Sequence, residues 1–111
     1  RNGNERETMA DPMKIRAKLD GDVADVRVLM AHEMETGQRK DASGNVIPAW
    51  YISEVKAELN GKTVMKANWG PAIAKNPYMQ FNVPGAKAGD KIVITWVDNR
   101  GDTRTDEAII K

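Results

Sequence analysis

Cysteine is absent from this 111-residue sequence, and histidine occurs once, as His32. The first absence excludes disulfides, thiolate nucleophiles, zinc–thiolate sites and iron–sulfur clusters. The second excludes a histidine-rich metal centre, so neither a metal nor another cofactor is expected. An excess of one charge is lacking too: 17 basic residues stand against 16 acidic ones, interspersed along the chain. Nucleic-acid binding needs clustered Lys and Arg, so no nucleic-acid partner is expected. No apolar run approaches the ~18 residues of a membrane-spanning helix, and no membrane association is expected. Gly70, Gly85 and Gly89 are not arranged as a phosphate-cradling loop opening a helix. The stretch Arg1–Thr8 has no apolar run and does not read as a secretory signal peptide. Residues 1–10 are read as a disordered tail or a non-native remnant, with Met9-Ala10-Asp11-Pro12 as the natural beginning. Residues 11–111 form a single domain, large enough to bury about two-thirds of its unfolded surface.

What is present is a period of two. Ile15, Ala17 and Leu19 alternate with Lys14, Arg16 and Lys18 before an Asp20-Gly21 turn, and Val26, Val28 and Met30 continue the alternation. Asp41–Asn45 is a loop by composition, followed by an expected strand from Val46 through Ile52 to Leu59. Its phase breaks around Ile52 to Glu54, which predicts a bulge. Asn60-Gly61 is the strongest hairpin signal and leads into Thr63–Trp69. Met79–Val83, Lys91–Val97 and a last strand ending at Ile110 complete about seven short strands. The prediction is an all-β protein, an immunoglobulin-like antiparallel sandwich, with Leu19, Val28, Phe81, Ile94 and Trp96 in the core. No helix is expected beyond a single turn over Glu33–Arg39.

Chemistry-bearing residues are few. His32 lacks a second histidine or a cysteine to build a metal site, and reads as a strand-end residue bonding locally or touching a partner. Glu33 and Glu35 share a face of an extended segment, which reads as a solvated face. Arg100-Gly101-Asp102 matches an adhesion tripeptide, but its place between two strands explains it as hairpin-turn chemistry. Trp50 and Tyr51 are neighbours, so regular pleating sends one inward and the other outward. Trp69 stands at a strand end beside Gly70-Pro71, and Trp96 shares the register of Ile92 and Ile94. The outward aromatics, with nearby methionines, suit either a protein-binding face or a rim covering the sheet end.

The run Met30-Ala31-His32-Glu33-Met34-Glu35-Thr36-Gly37, followed by Arg39-Lys40-Asp41, resembles the first loop of the Z subunit of SoxYZ, the bacterial sulfur-oxidation carrier complex. Ile47-Pro48-Ala49, Asn60-Gly61-Lys62, Trp69-Gly70-Pro71, Lys75-Asn76-Pro77, Ala88-Gly89-Asp90 and Trp96-Val97-Asp98 follow in family order. The closing Gly101-Asp102-Thr103-Arg104-Thr105-Asp106-Glu107-Ala108 is the most specific segment. The resemblance runs from about Asp11 onward and departs at Glu33, where the pattern would carry proline. It implies an immunoglobulin-like, non-catalytic subunit paired in the periplasm with a SoxY-type carrier, whose C-terminal arm bears the sulfur-carrying cysteine. It further implies transient contact with a haem cytochrome, a manganese-dependent hydrolase and a sulfane dehydrogenase, and export together with a partner that carries the signal peptide. The expected partner-binding residues are His32, Met34, Trp50, Tyr51 and Trp69, with no catalytic residue. The alternative is a stand-alone sandwich binding a small ligand or sugar through Trp50 and Trp69.

Overall fold

The computed structural model describes residues 10–111. Apart from Ala10, the expected tail lies outside the described residues. Seven strands follow in order: β1 (Lys14–Asp20), β2 (Val23–Leu29), β3 (Ile52–Leu59), β4 (Lys62–Asn68), β5 (Tyr78–Pro84), β6 (Lys91–Asp98) and β7 (Thr103–Ile109). They form two antiparallel sheets, β1-β2-β5 and β4-β3-β6-β7, and no helix occurs among the described residues. This is the immunoglobulin-like sandwich that the alternation predicts.

The alternation builds the core directly. On β6, Ile92, Ile94, Trp96 and Asp98 point inward and are buried, while the residues between them face out. Ala24, Val26 and Val28 of β2 meet them from the other sheet, with Ile52, Val55 and Ala57 of β3 alongside. Each buried Val or Ile side chain stabilises the fold by ~1.5–3 kcal/mol, so these three central strands dominate the packing. Val28, Ile94 and Trp96 are core residues as expected. Leu19 and Phe81 are only half-buried against the rim of the core. They belong to β1 and β5, the outer strands of their sheet, where one flank has no neighbouring strand.

The predicted bulge is present, and it rescues the phase of β3. Ile52 pairs with Asp98 and Glu54 with Val97, leaving Ser53 as the extra residue. Ile52 and Val55 are three apart and would face opposite sides of a regular strand, yet both are fully buried. The Ser53 hydroxyl donates to the Val97 carbonyl at 3.1 Å and fixes the kink. Deleting Ser53 leaves Ile52 and Val55 two apart, so both should stay inward in a regular ladder, and a urea titration should show a loss of only ~1 kcal/mol from the missing Ser53 hydrogen bond. A loss of ~3 kcal/mol or more would show that Ile52 had left the core and that Ser53 is not the residue that sets the phase.

Asn60 and Gly61 close the β3–β4 hairpin with φ of 49° and 87°, the left-handed pair that a two-residue turn requires. Two expectations change. Val46–Tyr51 is not part of β3 but belongs to a long excursion from Met30 to Tyr51, whose isolated β-bridges are Glu35–Trp50 and Lys40–Val46. Pro48 lacks the N–H that a strand ladder needs there. Glu33–Arg39 makes no helical turn, because Met34 and Gly37 adopt φ of 52° and 85°. The excursion, the segment Trp69–Pro77 and the turn Asp98–Asp102 all leave the sheets at one end of the sandwich.

Candidate functional site

Asp98 organises that end. It is the last inward-facing residue of β6 and is 3 % exposed. One carboxylate oxygen accepts the backbone N–H of Arg100 at 3.0 Å and of Asp102 at 2.9 Å, shaping the β6–β7 turn. The other accepts the Nε2–H of His32 at 3.0 Å and the indole N–H of Trp50 at 2.8 Å. Burial by itself would raise the pKa of this carboxyl. The hydrogen bonds from His32, Trp50, Asp102 and Arg100 outweigh it and hold the group below its ordinary value. Asp98 is therefore an anion whose two oxygens are both doubly satisfied.

The tautomer of His32 follows from its partners. Its Nδ1 accepts the backbone N–H of Met34 at 3.1 Å, so the proton resides on Nε2, facing Asp98. The ring stands edge-on between two indoles, with centroids 5.1 Å from those of both Trp50 and Trp96. Its backbone is clasped by Asn76, whose side chain accepts the His32 N–H at 3.1 Å and whose N–H reaches the His32 carbonyl at 2.9 Å. On the outside, the guanidinium of Arg100 lies 4.3 Å from the Trp50 ring centroid, a cation–π contact.

A buried histidine–aspartate pair invites comparison with a catalytic dyad. The geometry does not support one here. Both ring nitrogens are occupied, and a general base needs one of them free. The pair instead fastens Met30–Tyr51 to the β6–β7 turn. No group of three or more His, Asp or Glu side chains able to hold a metal occurs among the described residues.

The five expected partner-binding residues all lie at this end, in different roles. His32 and Met34 are buried, and the Met34 sulfur sits 3.4 Å from the backbone nitrogen of Ile52. Trp50, Tyr51 and Trp69 are half-buried, and neither Trp50 nor Tyr51 follows the simple inside–outside rule because both precede β3. Trp69 packs on the rim of the core, and its N–H reaches the Ser53 carbonyl at 2.9 Å. It takes no part in the Asp98 cluster. Trp50 lines a recess of about 410 Å³ with His32, Lys75, Asn76 and Trp96, whereas Trp69 is not in its wall. Glu33 and Glu35 do not act as a pair: Lys75 takes the first at 3.5 Å and Arg39 the second at 2.7 Å. Arg100-Gly101-Asp102 is the hairpin turn it was read to be.

The alternation over Lys91–Val97 stops one residue short of Asp98. The signal was there. In the series Ile92, Ile94, Trp96, Asp98 it occupies an inward position, and a charge on the core face demands partners.

Comparison with known proteins bears on this cluster. The model of the family "Sulphur oxidation protein SoxZ" matches residues 13–109, nearly the whole domain. The chain belongs to the SoxZ family. SoxZ membership makes it a component of the sulfur-oxidation system and implies partnership with SoxY. His32, Trp50, Asp98 and Arg100 all fall inside the matched region. No individually curated protein shows a significant sequence match. Among solved structures, a superoxide reductase (neelaredoxin) from Ignicoccus hospitalis is similar, with 17 % identity over 92 % of this chain and 80 % of that one, TM-score 0.62. A hypothetical protein from Pyrococcus horikoshii OT3 is also similar, with 15 % identity over 100 % of this chain and 95 % of that one, TM-score 0.58. At such identities the likeness extends the SoxZ sandwich to other proteins as a fold only.

Proposed function

We propose that the chain is the non-catalytic half of a heterodimeric sulfur carrier in thiosulfate oxidation, working in the periplasm with a cysteine-bearing SoxY-type subunit. The observation that carries this reading is the SoxZ match across residues 13–109. Two features of the residues support it. The sequence contains no cysteine, so sulfur held covalently during the pathway sits on another polypeptide. The only imidazole has both nitrogens engaged and offers no general base.

The work of this subunit is to hold its partner and present it to the haem cytochrome, the manganese-dependent hydrolase and the sulfane dehydrogenase in turn. The surface we assign to the partner is the loop-rich end bearing Trp50 under Arg100, with Tyr51 and Trp69 beside it. Tryptophan, tyrosine and arginine are the residues that anchor interfaces, and here a buried anion pins the Trp50 indole and the Arg100 backbone in place. His32 and Met34 serve that surface from beneath by fixing the backbone of the excursion. Purification from native periplasm followed by mass spectrometry should recover a cysteine-bearing subunit in equal amount. Recovery of the chain alone, under conditions that preserve other periplasmic complexes, would overturn the assignment.

The same reading limits the role of His32. In a reconstituted pathway, His32→Ala should leave thiosulfate-dependent cytochrome reduction within a few-fold of the parent, measured where the variant complex is intact. Losing a general acid–base would instead slow the reaction by roughly 10²–10⁴. A fall of that size would make this subunit a chemical participant.

A further inference from the structure

The outer face of the β1-β2-β5 sheet carries an unneutralised block of positive charge. Lys14, Arg16 and Lys18 occupy alternate, exposed positions of β1. Arg16 stands directly opposite Arg27 in the β1–β2 ladder. Like charges facing each other across an antiparallel pair destabilise a sheet, so this arrangement opposes the fold that contains it. Arg27 turns to Asp25, 3.1 Å away, and Asp25 also accepts from Gln80 at 3.0 Å. Lys18 stands opposite Asp25 in the ladder, but that carboxylate is engaged by Arg27 and Gln80, and Lys14, Arg16 and Lys18 make no ion pair among the described residues. On the opposite sheet Lys66 is answered by Glu54 and Lys91 by Glu107, each at 3.2 Å, although Lys56 also stands opposite Lys66 in the ladder.

Apolar surface adjoins the charge. Lys14, Leu29 and Tyr78 form one row across the sheet, with Leu29 41 % and Tyr78 59 % exposed. These three, with Ile15, Arg16 and Arg27, line a recess of about 320 Å³. We propose that this face docks a carboxylate-rich protein surface that carries an apolar side chain beside its acidic groups. Three cations spaced ~6.7 Å apart along β1 match carboxylates on alternate residues of an extended segment. Tyrosine and arginine beside an aliphatic side chain are what protein interfaces concentrate at their centres. The block is only ~13 Å long and is closed at the hairpin turn by Asp20 and Asp22, which disfavours a polyphosphate track or an anionic membrane. The surface is the outer face of the β1-β2-β5 sheet, with its Leu29–Tyr78 row bordering the loop-rich end, and the inference does not depend on the carrier assignment.

The test is a titration of the isotope-labelled full chain with an alternating glutamate–threonine peptide ending in leucine, followed by amide chemical shifts. An alternating glutamine–threonine peptide is the control. Shifts should concentrate at residues 14–18, 27–29 and 78, and affinity should fall about tenfold between low and physiological salt. Arg16→Glu should weaken binding at least tenfold while raising the melting temperature, because it turns a like-charge opposition into an ion pair with Arg27. Binding untouched by Arg16→Glu, shifts centred elsewhere, no binding at low salt, or tighter binding to duplex DNA or phosphatidylglycerol vesicles would each overturn the proposal.

Discussion

Asp98→Ala is expected to lower the free energy of unfolding by about 3–5 kcal/mol, a large effect for a single substitution. Four donors lose their acceptor at once: the His32 imidazole, the Trp50 indole and two backbone N–H groups. A buried donor left without a partner costs ~1–3 kcal/mol, although not all four losses add because the turn can relax toward water. Urea unfolding at neutral pH measures the difference, and a loss under about 1 kcal/mol would remove Asp98 from the centre of this account. Its pH dependence has a definite direction. The folded-state pKa of Asp98 lies below the ordinary aspartate value, so its contribution is fully present above about pH 4. It is lost as pH falls from there through the lowered folded-state value. Parent and Asp98→Ala should therefore approach each other in stability in acid, with the parent showing the steeper decline.

The second large effect is at the proposed interface. Arg100→Glu combined with Trp69→Lys should abolish co-purification with the cysteine-bearing partner while the isolated chain stays folded. An arginine or tryptophan anchor is worth ~2 kcal/mol or more when truncated, so the pair should weaken the complex by roughly a thousandfold. Arg100 is exposed and Trp69 half-buried, and neither side chain donates to the Asp98 carboxylate. The pair of substitutions therefore separates recognition from folding, which replacing Trp50 would not do. Circular dichroism and melting of the isolated variant provide the control. A full-strength complex would move the partner to another surface of the sandwich.

The strands, their inner faces and the turns between them are properties of neighbouring residues, and the sequence displays them. Alternation over Lys91–Val97 places Ile94 and Trp96 inside, and Asn60-Gly61 specifies its hairpin because both residues tolerate positive φ. Even the Ser53 bulge is visible as a break in the period of two. The family likeness, too, was readable from short motifs in order. The site is of another kind. His32 and Asp98 are 66 positions apart and Trp50 and Asp98 are 48 apart, and nothing local to any of them specifies that they converge. Sequence alone left His32 as a residue bonding locally or touching a partner. Only the packing of the two sheets brings the loop segments together, buries Asp98 among donors, and so decides the imidazole tautomer and the posture of Trp50. The same packing turned Met34 inward, held Leu19 and Phe81 at half burial on outer strands, and kept Val46–Tyr51 out of β3. One-dimensional period determines which face a residue takes. Which distant residues share a hydrogen bond is decided by closure of the sandwich.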